Sequence, residues 1–257
     1  MRSFASSVPW LAALAIVAAA PDALADAPKP KPAPKPEPKP RDRFEREDVQ
    51  RMHMHESFDL VRAIERLLLT GKLDEAKRFA ASISEAPDAP AHGSWATHVV
   101  AVRDRAAALA RVTTVEQGCR AVASLASACG ACHVETGVAS EFRTFPLPPD
   151  KTTVEGRMAR HRWAADRMWE GIVGGEDAPW VAGLDVLAAT PLDWSSSPER
   201  AGYARTLQRL ASQARKQKAA TIATRTTAYG EILVTCASCH SSKPPPTTTA
   251  PTGPAPK

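Results

Sequence analysis

The pentapeptides Cys129-Gly130-Ala131-Cys132-His133 and Cys236-Ala237-Ser238-Cys239-His240 stand 107 residues apart in a chain of 257 residues that has five cysteines in all. Two thiols at this spacing, followed at once by an imidazole, form the attachment site for c-type haem. The thiols add to the porphyrin vinyl groups, and the histidine ligates iron from one face. One copy could arise by chance. Two copies, using four of the five cysteines, predict a chain that carries two haem c groups and their iron. The same Cys and His residues could in principle hold structural zinc, but the repetition of the whole pentapeptide argues against it.

The elements that must position these motifs read as helices. From about 48 to 242 the sequence is full of Ala, Leu, Arg and Glu, with little strand-like alternation. Leu60, Ile64 and Leu68 form an apolar row at i, i+4, i+8, while Asp59, Arg62 and Arg66 point elsewhere. The spacing predicts helices near 48–70, 72–85, 95–111 and 114–134, then 153–173, 177–189, 197–216 and 218–241. The breaks fall at Gly71, the Pro-rich 86–93 stretch, Gly174-Gly175 and the 190–198 stretch. Setting Gly71 on Gly175 also sets Leu60, Ile64 and Leu68 on Ala164, Met168 and Ile172, an offset of 104 that nearly equals the motif spacing. The chain is therefore expected to be all-α, as two tandem four-helix bundles with one covalently bound c-type haem each. Their expected bounds are 48–142 and 153–242, joined by a linker at 143–152. Each unit is small for an independent core, so a buried haem would supply much of the apolar contact.

The ends of the chain set the expected compartment. Residues 1–25 carry Arg2, an apolar stretch from Val8 to Ala20 and the small-residue sequence Ala23-Leu24-Ala25, the pattern of a cleaved signal peptide. Its apolar run is short for a membrane span. Residues 26–47 read as a Pro/Lys-rich linker in extended polyproline form, and 243–257 as a disordered Pro/Thr-rich tail. The expectation is an exported, periplasmic protein. The two tails hold part of the +5 net charge, so the balance is no argument for nucleic-acid binding. The basic linker could bring peripheral membrane association or draw an acidic redox partner.

Each motif falls at the end of its fourth helix, and the tail after His240 has neither His nor Met. A second protein ligand to iron must therefore come from upstream. In an up-down-up-down bundle, the start of the first helix and the loop between the second and third lie at that same end. The matched residues there are Met54 and Met158, 104 apart and each on an apolar face, with His161 as a rival in the second unit. Ordinary core filling remains the other reading of both methionines. His55 falls on a polar face, and His53 is no better placed. Trp95 and Trp194 fall by the loops between second and third helices, where they could cover a haem edge or simply pack. Cys119 lies ten residues before Cys129, roughly 15 Å along one helix, and is expected to be a buried free thiol.

With haem attachment on the fourth helix, the endings Cys-Gly-Ala-Cys-His and Cys-Ala-Ser-Cys-His and a Met early in the first helix, the chain resembles the class II c-type cytochromes, the cytochrome c′-like group. The resemblance covers most of 48–242. It implies a four-helix bundle around each haem, His133 and His240 as proximal ligands and, as in six-coordinate relatives, Met54 and Met158 as distal ones. The chain departs from the family in having two units. It also lacks the Arg often found about four residues after the haem histidine: Gly137 follows His133 at that distance, and Lys243 lies three after His240.

Electron transfer is the leading expectation, because iron with two protein ligands changes oxidation state with little rearrangement. The alternative is a gas-binding protein with five-coordinate iron admitting NO or CO. A peroxidase would need an acid/base pair beside open iron; only His161 offers a base, and no Glu or Gln partner can be set beside it. The chain is thus read as a non-enzymatic electron carrier, its redox partner unspecified.

Overall fold

In the computed structural model, residues 40–86, 95–138, 140–143, 145–192, 197–217 and 220–242 are described. The expected signal peptide, most of the expected linker, Trp194, Lys243 and the expected tail lie outside them. The described residues form eight helices: α1 (Pro40–Leu69), α2 (Leu73–Ser84), α3 (Trp95–Ala110), α4 (Val115–Thr136), α5 (Val154–Val173), α6 (Asp177–Ala189), α7 (Pro198–Arg215) and α8 (Ile222–Ser241). The chain is all-α, with no strand among the described residues. Seven of the eight begin within a few residues of where the sequence predicts. The exception is α1, which starts at Pro40, inside the stretch expected to be extended linker; proline is tolerated in a first helical turn, where its missing N–H has no partner to lose.

Local chemistry repeats between the halves. Thr114 caps α4 by accepting the Gln117 N–H at 3.2 Å, and Thr221 caps α8 by accepting the Thr224 N–H at 3.3 Å. Each threonine stands fifteen residues ahead of the first motif cysteine of its helix. The turns that end α1 and α5 use Gly71 at φ 75° and Gly175 at φ 69°, left-handed backbone that a Cβ would strain. These two glycines are the pair that the offset of 104 aligns.

Within each half, consecutive helices pack as neighbours: α1 on α2, α2 on α3, α3 on α4 with α1 closing on α4, and likewise α5 through α8. The most extensive packing includes α4 against α8, which joins the halves. The core is accordingly one continuous cluster, running from Ile64 and Leu68 through Val122 and Leu125 to Met168, Ile172, Ile232 and Leu233. Small cores that share a wall bury more apolar surface than either could alone. The inner row of α1 is Val61, Ile64 and Leu68; Leu60 is only half-buried. In α5 the expected row of Ala164, Met168 and Ile172 is fully buried.

The helices α4 and α8 run antiparallel. Gly230 lies against Arg120 and Ala123, Arg120 pairs with Glu231 at 2.6 Å, and Gly130 near the other end of α4 lies beside Ile222 at the start of α8. At the opposite end Gly71 approaches Ser241. From Ile222 to Cys236 is fourteen residues of helix, ~21 Å. The two Cys-x-x-Cys-His turns therefore sit towards opposite ends of the shared α4–α8 pair. No helix among the described residues is long and apolar enough to cross a membrane.

Candidate haem-attachment sites

The first motif occupies the last turns of α4. At about 100° per residue, Cys129 and Cys132 project within about 60° of one another, and His133 stands about 40° to the other side of Cys129. Both cysteines are half-buried and free. The turn is pressed against the end of α5: a Cβ on Gly130 would stand 2.1 Å from the Ile172 carbonyl oxygen. His133 Nδ1 lies 2.5 Å from Ser140 Oγ in the segment after α4. Burial lowers the His133 pKa, while a hydrogen bond to the Val173 carbonyl opposes the shift. An outer-shell partner of this kind fixes the orientation of an iron-ligating ring.

The second motif ends α8. Cys236 and Cys239 are half-buried, and His240 is exposed. The chain beyond is clamped by Arg200 from α7, which donates to Ser242 Oγ at 3.2 Å and to the Ser242 carbonyl at 2.9 Å. Partial desolvation of the ring and the charges of Arg200 and Arg162 hold the His240 pKa below its ordinary value. The sequence placed an arginine-free segment after each haem histidine; the fold brings Arg200 and Arg162 to His240 from α7 and α5.

Burial pushes Cys129 up to about 11, and burial together with nearby Cys119 pushes Cys236 up to about 12. Cys132 and Cys239 are raised by burial as well. Reactive dithiols need the opposite shift. Among the described residues no group of three or more His, Cys, Asp or Glu converges as a metal cage would require. Covalent haem needs no such convergence, because the sulfurs bond carbon and only the imidazole bonds iron. The donor set and the flanking apolar residues fit that group: burial along α1 falls from Ile64 and Leu68, both fully buried, to half-buried Phe58 and Met54 towards the motif end. Phe58 meets Phe142 there, with ring centroids 6.1 Å apart. Two open surface concavities lie elsewhere, one of about 240 Å³ beside Trp163 and one of about 420 Å³ between α7 and α8, and neither is lined by a motif residue.

The expected distal candidates fall as follows. Met54 and Met158 are half-buried in α1 and α5. His161 is buried, and its Nε2 is 2.8 Å from the Thr190 carbonyl at the end of α6. His55 is exposed, and His53 lies 3.5 Å from Glu56. Trp95 is half-buried at the start of α3. Cys119 is fully buried, its thiol pushed up to about 12 by burial. The residue that sequence reasoning missed is His98 of α3, 3.5 Å from Glu135 just past the first motif. Its signal was present, since His98, Val102 and Leu109 share one helical face. No family model, curated protein or solved structure matches the chain.

Proposed function

We propose that this chain is an exported dihaem c-type cytochrome that transfers electrons, with one haem held by Cys129, Cys132 and His133 and the other by Cys236, Cys239 and His240. The observation that carries the reading is the duplicated motif at equal depth in two helices with the same threonine cap. Helix-positioned thiols and imidazoles support it. Each set of four helices would be one haem module of the cytochrome c′-like kind.

Haem iron supplies a one-electron redox centre. The chain's own part is to anchor, orient and exclude water. The cysteines fix each attachment edge, Ser140 orients the His133 ring, and Arg200 holds the end of α8 behind His240. With the attachment turns at opposite ends of α4–α8, one partner could be met at each end. The partner is a redox protein, not a nucleic acid; the basic 26–47 segment would aid membrane association, and the Val8–Ala20 stretch would direct export.

The test is the absorption spectrum of the reduced full-length holoprotein, with pyridine haemochrome to count haem. Two haems per chain with sharp visible bands indifferent to CO are expected. Broad bands that shift with CO would make it a gas-binding protein, and fewer than two haems would sink the dihaem reading.

A further inference from the structure

On that dihaem reading, we propose that His98 is the second axial ligand of the iron held by His133, so that the first centre has two imidazoles and the second does not.

The register of α3 on α4 puts His98 at the motif. Arg105 of α3 reaches Ser124 of α4 at 2.8 Å, and His98 Nε2 lies 3.5 Å from Glu135 Oε2. The helices are antiparallel, so the level of His98 on α3 is that of the Cys132 turn on α4. His98 also lies on the inward stripe of its helix with buried Leu109 and half-buried Val102. Its Nε2 is buried and makes no hydrogen bond among the described residues, the Glu135 contact lacking the geometry of one. An orphaned buried ring nitrogen is costly and calls for an explanation. Coordination satisfies it, and a neutral imidazole is the commonest metal ligand in proteins.

The sides also match. Around α4, His133 stands about 40° from Cys129 in one sense and Glu135 about 120° in the other, with Cys132 between. A ring anchored by the two cysteines would thus meet His133 from one side and the α3 side, with His98, from the other.

The second half lacks this group. The residue 107 positions after His98 is Arg205, which is exposed, and α7 contains neither His nor Met. His161 Nε2, unlike that of His98, has a partner in the Thr190 carbonyl, and the second centre is assigned to Met158. A thioether ligand raises the potential relative to a second imidazole, so the centres are inequivalent and electrons run downhill from the first motif to the second. Met54 then lines the first site without binding iron.

The experiment uses the full-length holoprotein after haem counting; a count below two defeats the dihaem reading on which the assignment rests, whereas the spectra test the assignment itself. Near-infrared magnetic circular dichroism of the oxidised wild type should show one bis-imidazole and one imidazole–thioether haem. His98→Ala should make one haem reactive to CO, with added imidazole restoring it, and His98→Met should raise the lower of the two potentials. Met54→Leu should leave both haems closed to CO. Absence of a bis-imidazole signal in the wild type overturns the assignment even if the variants fail to accumulate. So does a His98→Ala protein whose haems both ignore CO, or CO reactivity appearing in Met54→Leu instead.

Discussion

The hydroxyl of Tyr229, in the last helix, donates to Glu65 Oε1 of the first helix at 2.9 Å, and both residues are buried. Arg62 pairs with the other oxygen of Glu65 at 2.5 Å, reaches Asp166 of α5 and stacks 5.0 Å from the centroid of Trp169. The halves of the chain are therefore joined by a polar network inside an apolar interface, where every member depends on its partners.

Tyr229→Phe should destabilise the protein by about 1–3 kcal/mol, because a buried carboxylate loses a donor. Burial pushes the Glu65 carboxyl up, against the pull of Arg62 and the Tyr229 hydrogen bond. A raised folded-state pKa contributes stability in acid that is lost as pH rises through it. The Tyr229 hydrogen bond favours the ionised form, so its loss should cost more at a pH above the Glu65 titration than at one below it. Urea unfolding of both proteins at the two pH values measures it; an equal cost at both would contradict the role of Glu65.

Gly130→Ala and Gly202→Ala should act in opposite directions. A Cβ at Gly130 meets the Ile172 carbonyl, which is backbone and cannot swing away, whereas nothing lies within 4 Å of one at Gly202. The first change should cost about 1–3 kcal/mol through overpacking. The second should stabilise α7 by up to about 1 kcal/mol through helix propensity. Thermal melts decide, and a Gly130→Ala protein as stable as wild type would mean that α4 does not press on α5 at Gly130.

His161 should make the protein acid-sensitive. Burial holds its pKa below the ordinary 6.5, opposed by the hydrogen bond to Thr190. A depressed folded-state pKa contributes stability that is present above the unfolded value and lost as pH falls below it. Stability should therefore decline below 6.5, by at most about 1.4 kcal/mol per pH unit from this group. His161→Gln should flatten that decline. Denaturation midpoints through this window, compared between the two proteins, provide the check.

Thr114→Ala and Thr221→Ala should each cost about 1 kcal/mol, and the double variant about the sum, since the caps begin antiparallel helices and share no partner. Denaturant midpoints measure this. A single cap carrying the whole loss would argue against equivalent roles for α4 and α8.

Much of the molecule was legible from local pattern. The breakers and apolar periodicity located all eight helices, and the 104-residue offset picked out Gly71 and Gly175, which share a left-handed turn. Leu60 was misplaced because a helical stripe is wide enough for neighbouring rows to look alike, and only packing chose Val61. His98 was overlooked because its relevance depends on which turn of α4 lies beside it, and Arg200 because it reaches His240 from another helix.

The sequence by itself determined the residues that can do chemistry, the helices that carry them and the duplication, since these rest on spacing and propensity within short windows. Tertiary structure decided the antiparallel docking of α4 on α8, the single core, the Glu65–Tyr229 join and the inequivalence of the two motif environments. Those depend on which apolar faces bury one another over separations such as the 164 residues between Glu65 and Tyr229, a choice no local pattern encodes.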